Sequence, residues 1–176
     1  MLRRAFWCTV GIVGLSGIVF AAESLRIMPV VRGHEVLVSF ELVDAYTDDV
    51  RQAVLSGLRT TFDYEVDLRM DVRFWVDRTV ATALVSISDE YDSLTGRHSL
   101  ARRVDGRVVE ALVTQDENLV EEWFTNVERQ PLCDTSRLEA NRDYYVRVSA
   151  RSRPHMGSLL SWASAIRGQA AFRFSP

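Results

Sequence analysis

The sequence predicts a mainly β chain: an antiparallel β-sandwich of about seven or eight strands with two short helical insertions. Three stretches carry that prediction. From Phe62 to Phe74 every second residue is apolar (Phe62, Tyr64, Val66, Leu68, Met70, Val72, Phe74), and the residues between are all charged. A period of two over this length marks a strand with one face in a core and one in water. Asp105-Gly106 joins two β-like runs, and Asp-Gly supplies the positive φ angles that a tight hairpin turn needs. Tyr144, Val146, Val148 and Ala150 form a third alternating ladder, with Leu138 six residues before the tyrosine.

The elements follow in order. Leu25–Val31 and Glu35–Val43 read as strands joined by Arg32-Gly33-His34, the first placed at a sheet edge by Pro29. Val36, Val38, Phe40 and Leu42 are the inward set of the second. A helix follows, with Thr47 as N-cap, Asp48 and Asp49 in the turn where the helix dipole favours anions, and Gly57 at its end. Val50, Ala53, Val54 and Leu58 form its apolar stripe. After the alternating strand come Thr79–Ser88, Leu94–Arg103 and Arg107–Thr114, separated by turns at Val76–Arg78, Asp89–Ser93 and Asp105-Gly106. A second helix is predicted over Gln115–Arg129. Thr114 and Glu117 have capping-box spacing, Leu119, Val120, Trp123, Phe124 and Val127 share one face, and Pro131 closes the segment. Gly168–Phe174 reads as the last strand.

The ladder from Leu138 to Ala150 resembles the penultimate strand of fibronectin type III and other immunoglobulin-like sandwiches, whose tyrosine hydroxyl bonds back to the backbone near the corner. In such a sandwich the Phe62–Phe74 strand is the third and neighbours Tyr145–Arg151. Arg147 and Arg151 would then face the row Asp63, Glu65, Asp67, Asp71. Charges opposed across a ladder contribute roughly 0.2–1 kcal/mol per pair.

The ends and the composition bound the function. Arg3 and Arg4 precede an uncharged, mostly apolar run, Ala5–Phe20, and Val19-Phe20-Ala21 suits cleavage by signal peptidase. Residues 1–21 therefore read as a signal peptide or an uncleaved anchor, and residues 22–176 as one domain, with the periplasm or cell envelope of a bacterium as destination. Removing residues 1–21 takes two of the 21 arginines and no acid, which leaves 19 arginines against 24 acids and a net charge of −5. That balance speaks against nucleic acid as a partner. The chain has no lysine, which excludes a Schiff-base or P-loop lysine. Past the leader, Cys133 is the single cysteine, and it reads as a packed residue.

Three stretches together resemble one family: Val38–Ala45, Ser56–Arg69 and Leu138–Ala150, with Tyr91-Asp-Ser-Leu-Thr and Arg102-Arg-Val-Asp-Gly-Arg between them. They resemble the exported bacterial domain of unknown function 4390. The resemblance implies export and a single domain, and it brings no established activity, cofactor or catalytic residue. Arg59 and Ala140 stand where the family tends to have proline.

No catalytic, cofactor-binding or metal-ligating set is expected. His34, His98 and His155 are scattered, Asp89-Glu-Tyr-Asp92 reads as a turn, and the Asp116 region reads as a helix cap. The functional expectation is a non-catalytic interaction module that meets an envelope protein or the membrane surface. A carrier of a lipid or other apolar ligand is the alternative, with an enzyme third; a buried carboxylate or histidine pair would revive the enzyme. The candidate contact residues are Trp75, which falls out of phase with the inward face, and Leu159, Trp162 and Ile166. The last three lie with Ala163 at helical spacing between the last two strands.

Overall fold

The computed structural model describes residues 25–154 and 166–175. Nine strands and two helices follow one another: β1 (Leu25–Arg32), β2 (Glu35–Leu42), α1 (Asp48–Leu55), β3 (Thr60–Met70), β4 (Arg78–Asp92), β5 (Arg97–Val104), β6 (Arg107–Thr114), α2 (Glu117–Thr125), β7 (Asn126–Asp134), β8 (Arg142–Pro154) and β9 (Ile166–Phe174). They build two antiparallel sheets, a three-stranded one ordered β1-β2-β7 and a six-stranded one ordered β6-β5-β4-β3-β8-β9. The first, second and seventh strands share one sheet, and in the other the third neighbours the eighth, which pairs in turn with the ninth. This is the partition of an immunoglobulin-like sandwich whose larger sheet carries extra strands on the β3 side.

The inward phase of each strand fills one core. Val36, Val38, Phe40 and Leu42 from β2 meet Phe62, Tyr64, Val66 and Leu68 from β3 and Tyr144, Val146, Val148 and Ala150 from β8, all buried. Aromatic rings tie the layers: Phe40 lies 5.0 Å from Tyr64, and Phe62 lies 5.0 Å from Phe124 of α2. The Tyr64 hydroxyl donates to the Phe124 carbonyl at 2.5 Å. Tyr144 closes the corner before β8, its hydroxyl accepting from the Glu139 N–H at 2.7 Å.

α1 starts where the sequence places it. Thr47 Oγ1 accepts from the Val50 N–H, and Val50 and Val54 are buried. α2 differs. It is shorter than Gln115–Arg129 and is capped by Asp116, whose side chain accepts from the Asn118 N–H, so the Thr114/Glu117 pair does not form the cap. From Asn126 the chain turns into β7, which pairs with β2, and Val127 belongs to that strand. Apolar residues at 123, 124 and 127 satisfy either period, and the buried faces of α2 and β7 happen to continue one another. Three further boundaries move. β4 runs on through Asp92, so Asp89–Asp92 are strand residues and the turn is Ser93–Gly96. β5 starts at Arg97 rather than Leu94. β3 stops at Met70.

Candidate contact surface and the buried Asp89–His98 pair

Past Met70 the alternation of residue types continues, but the strand does not. Asp71 N–H donates to the Asp143 carbonyl, and Trp75 N–H donates back to the Val72 carbonyl at 3.0 Å, closing a turn. Phe74 sits at φ 65, a left-handed conformation uncommon for a bulky side chain and held only when its surroundings enforce it. The enforcing residue is Asp77. Its Oδ1 accepts from the Val72 N–H at 3.4 Å, its Oδ2 from the Tyr145 hydroxyl at 2.6 Å, and its carbonyl from Arg69 at 3.1 Å. The Tyr145 bond and then the Val72 N–H hold the Asp77 carboxyl below its ordinary range. On this braced base stands a bare tip: Phe74 is 100% exposed, Trp75 81% and Val76 76%. Trp75 was expected outside the core and is there. Phe74 was expected in the core and is not, because the turn rotates it out.

The strand β3 neighbours β8 as the sequence suggests, and the register places Asp67 opposite Arg147 and Asp63 opposite Arg151. Asp67 is buried beneath its neighbours and not solvated. Its Oδ2 accepts from Arg147 at 2.6 Å and its Oδ1 from the Thr82 hydroxyl at 2.8 Å. Asp63 accepts from the Ser86 hydroxyl at 2.7 Å. Asp67 and Asp63 thus tie β3 to neighbouring strands, while Glu65 stays exposed.

A second titratable feature lies on the opposite face of the same sheet. His98 Nδ1 of β5 is 2.7 Å from Asp89 Oδ2 of β4, and the two side chains are 3% and 0% exposed. Tyr91 lies over the imidazole at 4.7 Å. Burial pushes the Asp89 carboxyl up, against the lowering pull of His98. Burial, followed by the Asp89 charge, pushes Tyr46 up to about 12. Reading Asp89–Asp92 as a turn hid this pair; β4 carried four residues past Ser88 puts Asp89 in phase with Val85 and Ile87, and His98 is in phase with Leu100. The pair is sealed beneath the sheet, and neither residue lines any of the depressions described here. Two of them are open to solvent. One of about 480 Å³ lies between β6 and β7, beside Arg102, Val104, Val109 and Pro131. One of about 360 Å³ lies beside Arg59, Ser88 and Ala111.

A protein-family comparison matches residues 21–155 to the domain of unknown function DUF4390. The chain belongs to that family. No curated protein and no solved structure matches it. The DUF4390 match spans the tip, the Asp89–His98 pair and the β3–β8 register, and it ends before β9, the strand that completes the larger sheet. Ile166, expected on an apolar helix, is the first residue of β9; it lies opposite Ala150 and packs half-buried against the core. Leu159 and Trp162 lie outside the described residues, as does the leader. Among the described residues no helix is long and apolar enough to cross a membrane, and no three acidic, histidine or cysteine side chains group as metal ligands. Cys133 is a free thiol whose pKa is pushed up by burial.

Proposed function

We propose that this DUF4390 chain is a non-catalytic interaction module of the bacterial cell envelope, exported by residues 1–21, that meets a partner protein through the β3–β4 tip. The observation that carries the proposal is the contrast at Asp71–Asp77. Three hydrogen bonds to one aspartate stiffen a turn that holds Phe74, Trp75 and Val76 outward, beside the exposed Asp71 and Arg73. Aromatic anchors on a preorganised loop lose little conformational entropy on binding, and such residues dominate the energetics of interfaces.

The carrier reading needs an enclosed apolar cavity, whereas the depressions described here are open and carry Arg102 and Glu110 or Arg59 and Glu90 at their walls. The enzyme reading needs a reactive group within reach of substrate, and the Asp89–His98 pair is shut away from solvent.

The test is recovery of partners from envelope extract with the full tagged chain. We expect Phe74→Ala/Trp75→Ala to lose the recovered protein with an affinity about 30-fold weaker, the scale of a hot-spot truncation. Trp162→Ala should leave it bound. Equal recovery with the double variant sinks the proposal. Binding to anionic vesicles alone that is lost in the same variant replaces the protein partner with the membrane surface.

A further inference from the structure

Sheet edges carry unpaired N–H and C=O groups, and natural sheets guard them with proline, bulges, charge or a covering segment. Three of the four edges here are guarded. β1 carries Pro29. β9 lies so close against β1 that a Cβ at Gly168 would meet Leu25 and Ile27 at 3.2 Å. β7 carries Pro131, two register shifts against β2, and Arg129 at φ 48. β6 has none of these over most of its length. Its bulge opposite Arg102/Arg103 comes near its start, so Glu110–Thr114 runs regularly, and among the described residues no strand pairs with its outer side. The strand is also apolar where it meets water: Val108, Val109 and Val113 are 57%, 58% and 60% exposed. Its one acid, Glu110, is held by Arg102 at 3.0 Å.

We infer that β6 adds antiparallel to the β6 of a second copy of this chain, about a two-fold axis through Leu112, joining two six-stranded sheets into one. The register follows from the bulge, because Leu112 is the midpoint of the regular run. A two-fold axis normal to the sheet keeps each residue on its own face. Ala111 then lies opposite the Val113 of the other copy, Leu112 opposite Leu112, and Glu110 opposite Thr114. Every opposed pair is apolar or uncharged on at least one side, and no like charges meet. The same strand set against an unrelated segment has no such self-matching. A five-residue ladder covers less than the roughly 800 Å² per partner of a typical stable interface, so the pairing is reversible. It is independent of the tip, which lies at the β3–β4 turn.

The register gives the test. Directly opposed Cα atoms in an antiparallel pair are about 4.5–5.5 Å apart, within disulfide range. Two differently tagged full-length copies, both Cys8→Ser/Cys133→Ser, are co-expressed in the envelope, one with Ala111→Cys and the other with Val113→Cys. Mild oxidation should give a product of two-chain size that carries both tags, and neither variant alone should cross-link. Absence of that product, a product of another size, or equal cross-linking by one variant alone overturns the inference. A second arm needs no thiol: Val113→Arg, at a position well exposed in the single copy, should reduce co-purification of the two tagged copies about tenfold. Undiminished co-purification also overturns it.

Discussion

Asp77 shows how much one side chain decides at the residue scale. The Val72 N–H and the Tyr145 hydroxyl both donate to its carboxylate, so the tip's order depends on its charge. Its native pKa is depressed below the unfolded value of about 3.9. An acid shifted down contributes stability that is present above the unfolded value and is lost as pH falls through the native one. Hydrogen exchange should therefore show the Val72 and Trp75 amides protected near neutrality and losing protection in acid. Asp77→Ala should remove that protection at every pH; unchanged exchange in the variant would show that the turn needs no brace. Asp89 has the opposite sign. Its pKa is raised, mainly by burial, so between the unfolded and native values the native state holds the extra proton and stability falls as pH rises. His98→Leu strips away the group that opposes burial and leaves a sealed carboxyl without its partner. We expect a loss of about 3 kcal/mol near neutrality in urea unfolding, shrinking as pH falls below the unfolded value of about 3.9, where the carboxyl becomes neutral in both states.

Gly168 is the informative position at the scale of elements, because it sets how closely β9 can lie under β1. A side chain there would have to displace Leu25 and Ile27, two of the residues that bring the first strand onto the core. Gly168→Val should cost about 1–3 kcal/mol by overpacking, read as an earlier urea midpoint, even though valine suits strands. An unchanged midpoint would mean β1 yields freely. This scale also separates what was legible from what was not. β2, α1 and the body of β3 followed from period, cap and turn residues, which are local. β7 did not: residues 123, 124 and 127 suit a helix face and a helix–strand pair alike, and only the partner β2 decides between them. Phe74 was misplaced for a related reason. The apolar–charged alternation outlasted the strand by four residues, while the bonds that end it come from Asp143 and Tyr145, far along the chain.

Over the whole molecule, the neighbourhood of two alternating strands eighty residues apart was legible through the likeness to an immunoglobulin-like sandwich, whereas the pairs Asp67 with Arg147 and Asp63 with Arg151 come from the register. The tyrosine corner was legible from the resemblance of the Leu138–Ala150 ladder to the penultimate strand of such sandwiches, and the Tyr144 hydroxyl does meet the Glu139 N–H. The candidate surface was half legible. Trp75 broke the phase and is exposed, whereas the sealed Asp89–His98 pair was hidden because Asp89 itself was read as part of a turn. The strand order also gives the domain two ends. The turn after β1 meets the segment after β7, where Thr135 N–H donates to the His34 carbonyl, and the tip of β3–β4 lies at this end. Leu25, α1 and α2 lie at the other. With β1 spanning about 26 Å at 3.3 Å per residue, Leu25 and the exposed Phe74 and Trp75 lie at opposite ends of the described domain, so a label on either end reports on the other only through the length of the sandwich.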